Sequence, residues 1–510
     1  MKKIIFTLCA LSIGLVEGTS QNITYKIGSE YEPTLKHKDY GYYLANNNTA
    51  VNVSFFREND YSIQPIDLNT LNVSSGYIHD ISSLGEDIVF EKTLNLKDNL
   101  FSIYSSFDKK TKTRSVTARL IDDKNITVAN YSAVLFESKD PKVIFLEPMK
   151  GTRYNFVTSA NKEYALFICF YENKERNPKT KEIGFCVFDK NLNVKLSKVV
   201  EMPPFSSDQI SSYHVDSKGN LFLFASNNIK KDDGTWERNG YQLLKINADG
   251  TIEKKEFSSN GLFLNDAILT DDLNGNLVST GYYQKESKGV NGIYVYRFGT
   301  AGDGKVDGSG LKLYEFNVDL FKSYESAQSQ ENIDNTGRLD AKLYFDDIFF
   351  HPNGDIVITT EQYKSDDTPN SVTLGAKNYY LDIITLKINK DGKLVWMKKI
   401  PKNQTGSGRS DLSYKYHYNN GNDYFIFIDN EKKLNLTPNQ APATHVCRQG
   451  GYLVAVKIDA QGNTQKIPIF DLRNEVVSVF PFDLFKVNES TLIGKCLRDR
   501  KKTVIELNFK

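Results

Sequence analysis

The residues best suited to metal or nucleophilic chemistry in this 510-residue chain are six histidines and five cysteines. His37, His79, His214, His351, His417 and His445 are scattered. None forms the close pair that lets two imidazoles on one helix face bind one metal ion. His214, His351 and His417 each precede a glycine turn, at unequal offsets, so turn-capping or exposed roles suit them better than a shared metal site. The Asp-rich segments 247–250, 271–276 and 302–310 invite a calcium reading, but none ends in the carboxylate that closes a calcium loop, and Asp/Asn-Gly turns account for them. Cys169, Cys186, Cys447 and Cys496 fit no zinc spacing. Cys169 and Cys186 fall in consecutive strands, where a hairpin disulfide competes with the simpler reading of two small buried residues. Glycine loops for phosphate and a nucleophile elbow are both missing, so the sequence points to no cofactor, no metal and no identifiable catalytic residue.

Compartment and composition narrow the partners. Lys2 and Lys3 precede an apolar run from Ile4 to Val16, and small residues lead to Ser20. This is the pattern of a secretory leader cut near Ser20, with residues 21–510 as one extracytoplasmic domain (periplasmic or secreted). The run is too short to span a bilayer, and no later stretch is long enough. Without Lys2, Lys3 and Glu17 the chain has 62 basic and 62 acidic residues, a balance that argues against nucleic acid as a partner. Tyr and Phe are abundant, at 29 and 31, and favour strands.

Two recurring segments organise the chain. One is a strand, a tight turn and a strongly apolar strand: YHVDSKGNLFLFASN (213–227), ILTDDLNGNLVSTGYYQ (268–284), IFFHPNGDIVITTEQYK (348–364) and, faded, YHYNNGNDYFIFIDNE (416–431). The other is a strand ending in Ile/Phe-Asp/Asn-x-x-Gly followed by a polar strand, as in YQLLKINADGTIEKKEF (241–257) and GGYLVAVKIDAQGNTQKIPIF (450–470). Strands of the second kind end near Ile66, Ile121, Phe188, Ile246, Phe298, Ile388 and Ile458, with VIELNF as an eighth. A period of about 60 residues implies stacked supersecondary units. Four antiparallel strands per unit make the blade of a β-propeller, an all-β fold, with eight blades expected and seven as the fallback. Within the second strands Leu221, Leu223, Ile356, Ile358, Ile426 and Ile428 alternate and share a face. The first unit is expected to use 41–46, 50–56, 61–67 and 71–78. The last unit lacks an outer strand, while 22–27 is spare. Pairing 22–27 with 503–509 closes the ring and removes two open edges. Residues 317–340 read as an insertion, a short helix or a surface loop.

DSKGNLFLFAS and DLNGNLVSTGYY resemble the hairpins of NHL-type repeats in extracytoplasmic bacterial propellers, which implies a blade and no particular function. KKDDGTWER (230–238) is similar to the Asp-box of sialidase-like propellers through Asp232, Gly234, Thr235 and Trp236, with one residue missing and no accompanying arginine cluster. The longer loops share one face of such a ring, and binding usually resides on long loops. Trp236, Arg238, His445 and Arg448 are the candidate ligand-face residues there. The expectation is a binding or scaffold module for a protein, peptide or glycan rather than an enzyme; a hydrolase or lyase at the channel mouth is the alternative. Convergent carboxylates, Tyr, His or Arg at that mouth would favour the enzyme.

Overall fold

The structure, a computed structural model, describes residues 23–510 except 35–38, 57–59, 85–86, 130–131, 139–142, 146–153, 174–180, 203–209, 227–228, 231–235, 238–239, 248, 273–274, 286–288, 299–309, 337–341, 367–376, 407 and 439. The leader and the 302–310 turn up to residue 309 lie outside the described residues, as does Arg238. Eight antiparallel sheets follow one another along the chain, each built on four strands. Blades 1 to 7 span 39–80, 88–138, 143–202, 210–257, 263–315, 342–400 and 415–471. Blade 8 combines Val477–Val479, Phe485–Asn488, Thr491–Arg498 and Lys501–Phe509 with Ile23–Ile27 as its outer strand. Ile23 stands opposite Phe509 and Ile27 opposite Ile505, so the two chain ends close the ring as expected.

Sandwiching between two neighbours explains why the second strands are apolar on both faces. In Leu221–Ser226, Leu221 and Leu223 pack with Leu166, Ile168 and Phe185 of blade 3. The intervening Phe222 and Phe224 pack with Leu269 and Tyr294 of blade 5. Ile426 and Ile428 likewise face blade 8, while Phe425 and Phe427 face blade 6. Burying each such side chain contributes about 1.5–3 kcal/mol.

The glycine hairpins are self-contained. Gly219 has φ +75°, and Asp216 accepts hydrogen bonds from the backbone N–H groups of Lys218 and Asn220 and from the Asn220 amide, the last at 2.9 Å. Asp189, Asp272 and Asp459 bind their Asn partners in the same way. These carboxylates serve their own turns, which supports the turn reading over calcium.

One detail differs from expectation, and two open readings are decided. The fourth strand of blade 1 is Tyr77–Asp80 rather than 71–78, because Leu71–Val73 makes a tight return bridged to Ile66. Residues 317–340 hold two helices, Val318–Lys322 and Ala327–Thr336, the first anchored by buried Phe321. The Cys169–Cys186 disulfide is not formed. Cys169 stands opposite Gly184 and Cys186 opposite Phe167, two positions out of register, and both are buried in one apolar cluster.

Candidate functional site

Eight blades around one axis leave a central channel lined by the first strand of each blade. Each first strand runs from the long-loop face toward the glycine turns. Near the long-loop end, the first strands of blades 1, 2, 4, 5 and 6 slip register by a bulge. A bulge inserts an unpaired residue and re-aims its side chain, often beside an active site. The inserted residues include Glu91 in blade 2, Asp266 in blade 5 and Asp346 in blade 6.

Asp346 is the centre of a group drawn from blades 6 to 8. Arg409, on the connection into blade 7, binds Asp346 through its guanidinium and lies 3.5 Å from Glu361. Tyr414 donates its hydroxyl to Asp346 Oδ2 at 2.7 Å, and Ser413 donates to Glu361 Oε2 at 2.7 Å. Behind them Lys402, fully buried, donates to Glu361 Oε1 at 2.7 Å, to the Tyr380 carbonyl at 3.0 Å and to Gln404 Oε1 at 3.1 Å. On the solvent side, the Arg409 guanidinium sits 4.4 Å from the centre of the Phe482 ring. A single 3-10 turn, Pro481–Asp483, interrupts the first strand of blade 8 and carries Phe482.

The electrostatics follow from crowding charges where bulk water is scarce. Burial raises the Asp346 pKa and nearby Glu361 raises it further, while Arg409 opposes both. Burial works against the charge of Arg409, but Asp346 and Glu361 leave its pKa raised overall. Burial, then Asp346 and Glu361, keep the Tyr414 phenol far above its ordinary range, so it is a hydrogen-bond donor and not a base. Asp347 is exposed by surface area, yet desolvation pushes its carboxyl up to about 6. The two observations agree for a side chain in a narrow channel, where water enters but protein replaces most of the bulk solvent. Burial lowers the pKa of neighbouring Lys415, against the opposing pull of Asp347 and Asp483.

The residues expected on the ligand face are distributed differently. Trp236 belongs to a two-residue strand paired with Ile229–Lys230, apart from the blade sheets. Arg448 is half exposed and pairs with Asp411 at 2.8 Å. His445 is corrected from surface candidate to interior residue. The third strand of blade 6, Lys377–Ile388, outruns its neighbour Leu394–Ile400, and Gln404–Gly406 and then His445–Val446 extend the sheet beside it. His445 is buried there, with its pKa lowered to about 4 by desolvation and by Lys402. His214, His351 and His417 are buried too, neither exposed nor convergent. His214 binds Asp271 of the next blade at 2.7 Å, and His351 binds Tyr416 at 2.8 Å. Among the described residues no three His, Cys, Asp or Glu side chains are grouped to hold a metal ion.

Asp346, Asp347, Glu361, Arg409 and Tyr414 were not singled out from the sequence. The available signal was LYFDDIFF (343–350), two adjacent acids inside an apolar strand, which strict alternation does not accommodate without a bulge.

No protein family and no curated protein matches the chain. Solved structures do. The β-propeller domain of the Trilobed protease from Pyrococcus furiosus is 10% identical, with a TM-score of 0.35 over 84% of this chain and 97% of that one. The polysaccharide lyase Uly1 is 9% identical, with a TM-score of 0.37 over 82% and 90%. An acylaminoacyl peptidase from Pyrococcus horikoshii is 11% identical, with a TM-score of 0.33 over 88% and 53%. The propeller fold rests on the eight sheets themselves, and these likenesses do not extend it to NHL-type repeats in particular. The expectation that leaned away from an enzyme is corrected. Arg409, Tyr414, Asp346 and Glu361 converge beside the first strand of blade 6, the kind of grouping that favours an enzyme, so that lean does not stand.

Proposed function

We propose that the chain is an extracytoplasmic propeller that binds a polar ligand, a glycan or a peptide, at the long-loop mouth of its channel in blades 5 to 8. The carrying observation is the Arg409–Asp346–Tyr414 group, held from behind by buried Lys402 and Glu361 and open in front beside Phe482. Buried ion pairs that merely stabilise a fold are readily replaced by apolar residues, whereas a charged group kept at a water-filled opening suits recognition. The leader-like residues 1–20 and the hairpins resembling NHL-type repeats support an extracytoplasmic setting. Glycan and peptide arrays probed with the wild-type chain and with Arg409→Ala test this reading. Signals lost in the variant support it, and signals retained in full by a folded variant overturn it.

A second reading, acid–base chemistry on the bound ligand by a hydrolase or lyase, is favoured by Asp347. A carboxyl with a pKa of about 6 exchanges its proton near neutral pH, as a general acid or base requires. Turnover of an array hit, followed by mass spectrometry, is expected to bend near pH 6. Loss of that bend in Asp347→Asn supports the role, and an unchanged profile excludes it.

A further inference from the structure

We propose that the mouth takes a saccharide that is neutral or carries free amino groups, and not a uronate or sulfated sugar. This rests on the mouth being the ligand site. Two large aromatic side chains beside Arg409 are exposed, Tyr344 at 49% and Phe482 at 38%. Tyr344 precedes the Asp346 bulge on the same strand and packs edge-on against Tyr363, with centroids 4.7 Å apart. Phe482 offers one face to the Arg409 guanidinium. Exposed aromatic rings beside planar charged groups are the surfaces on which sugar rings lie, C–H face on the ring and hydroxyls on the charges.

The sign of charge selects among sugars. The two cations at the heart of the group already face carboxylates: Arg409 faces Asp346 and Glu361, and Lys402 faces Glu361. Neither of these two is left over for a ligand anion. Asp266, exposed on the neighbouring bulge, has no basic partner among the described residues, and only desolvation shifts its pKa, upward. Beside it Tyr282 is almost wholly buried, with Thr360 as a hydrogen-bonding neighbour of its hydroxyl. The charges of Asp266 and Asp346 are both felt at that hydroxyl. An amine or hydroxyl on the ligand suits these acceptors, and an added carboxylate or sulfate would be repelled.

Isothermal titration of the chain at pH 7 with a glucosamine hexamer, a glucose hexamer and a galacturonate trimer tests the proposal. Binding of a glucosamine or glucose hexamer is expected, weakened at least tenfold by Tyr344→Ala and by Phe482→Ala. No galacturonate binding is expected, and Asp266→Asn should remove any preference for glucosamine over glucose. Melting curves confirm that these surface variants fold. Failure of both hexamers to bind overturns the ligand class. Tighter galacturonate binding, or binding of a lysine-rich peptide alone, overturns the class and leaves the mouth standing where Tyr344→Ala weakens it. Hexamer binding indifferent to all three variants overturns the mouth itself.

Discussion

Lys402 brings an ammonium into a place that water does not reach, and burial lowers its pKa while Glu361 resists. Replacing only the lysine, as in Lys402→Met, takes away the nearest cation of the Glu361 carboxylate and leaves Arg409 at 3.5 Å, so a loss of about 3 kcal/mol, the low end for a broken buried pair, is expected in urea denaturation. Glu361→Gln in the same background removes that charge and should recover part of the loss. Failure to recover would mean that Lys402 acts through its stem and not its charge. Asp347 has the opposite relation to pH. Its pKa of about 6 lies above that of an unfolded carboxyl, so the folded chain holds this proton more tightly. Its stabilising contribution is complete below about pH 4 and is lost as pH rises through 6. Wild type minus Asp347→Asn isolates it from turn carboxylates such as Asp459, whose pKa the Asn463 hydrogen bond lowers: the difference in stability should fall between pH 4 and 7. A flat difference would place the carboxyl in bulk water.

At the scale of elements, the seam between Ile23–Ile27 and Lys501–Phe509 is the feature on which the ring depends. Lys26 stands opposite Glu506, so Lys26→Cys with Glu506→Cys places two thiols across the seam. The oxidised pair is expected to stabilise by about 2–4 kcal/mol over its reduced form, read by denaturation with and without reductant. No gain would mean that the strand is unpaired in solution. This closure was legible in the sequence because a blade short of one strand and a spare alternating segment lie at opposite chain ends. The third strands were equally legible, from Ile66 to Ile458, because each must end in a turn whose chemistry is local. The site was not. Bulges at Asp266 and Asp346 depend on how neighbouring strands pair. The Arg409–Asp346 contact joins residues 63 positions apart, on a connection and on a strand that share no pattern. His445 failed for the same reason: nothing local marks a loop residue that a longer strand draws into its sheet.

For the whole molecule the question is whether eight similar blades unfold together or one at a time. Open arrays of repeats contact only their neighbours and fray from their ends. Here the two ends share a blade, and Ile23 and Phe509 sit in one apolar cluster with Ile426 and Ile428 of blade 7. Opening blade 8 therefore exposes residues from both ends of the chain at once. The cysteines report on this directly. Cys186 is buried in blade 3 and Cys496 in blade 8, and burial pushes both thiols up to about 12, so neither reacts until its blade opens. In mild denaturant a cooperative ring should label both at one rate with a thiol reagent, each site followed by peptide mass. Removing residues 21–27 turns the ring into an open array with a free edge at Lys501–Phe509. Cys496 should then label at least tenfold faster while Cys186 changes less. Faster labelling of Cys496 already in the intact chain would mean that the seam frays on its own and that closure adds little to cooperativity.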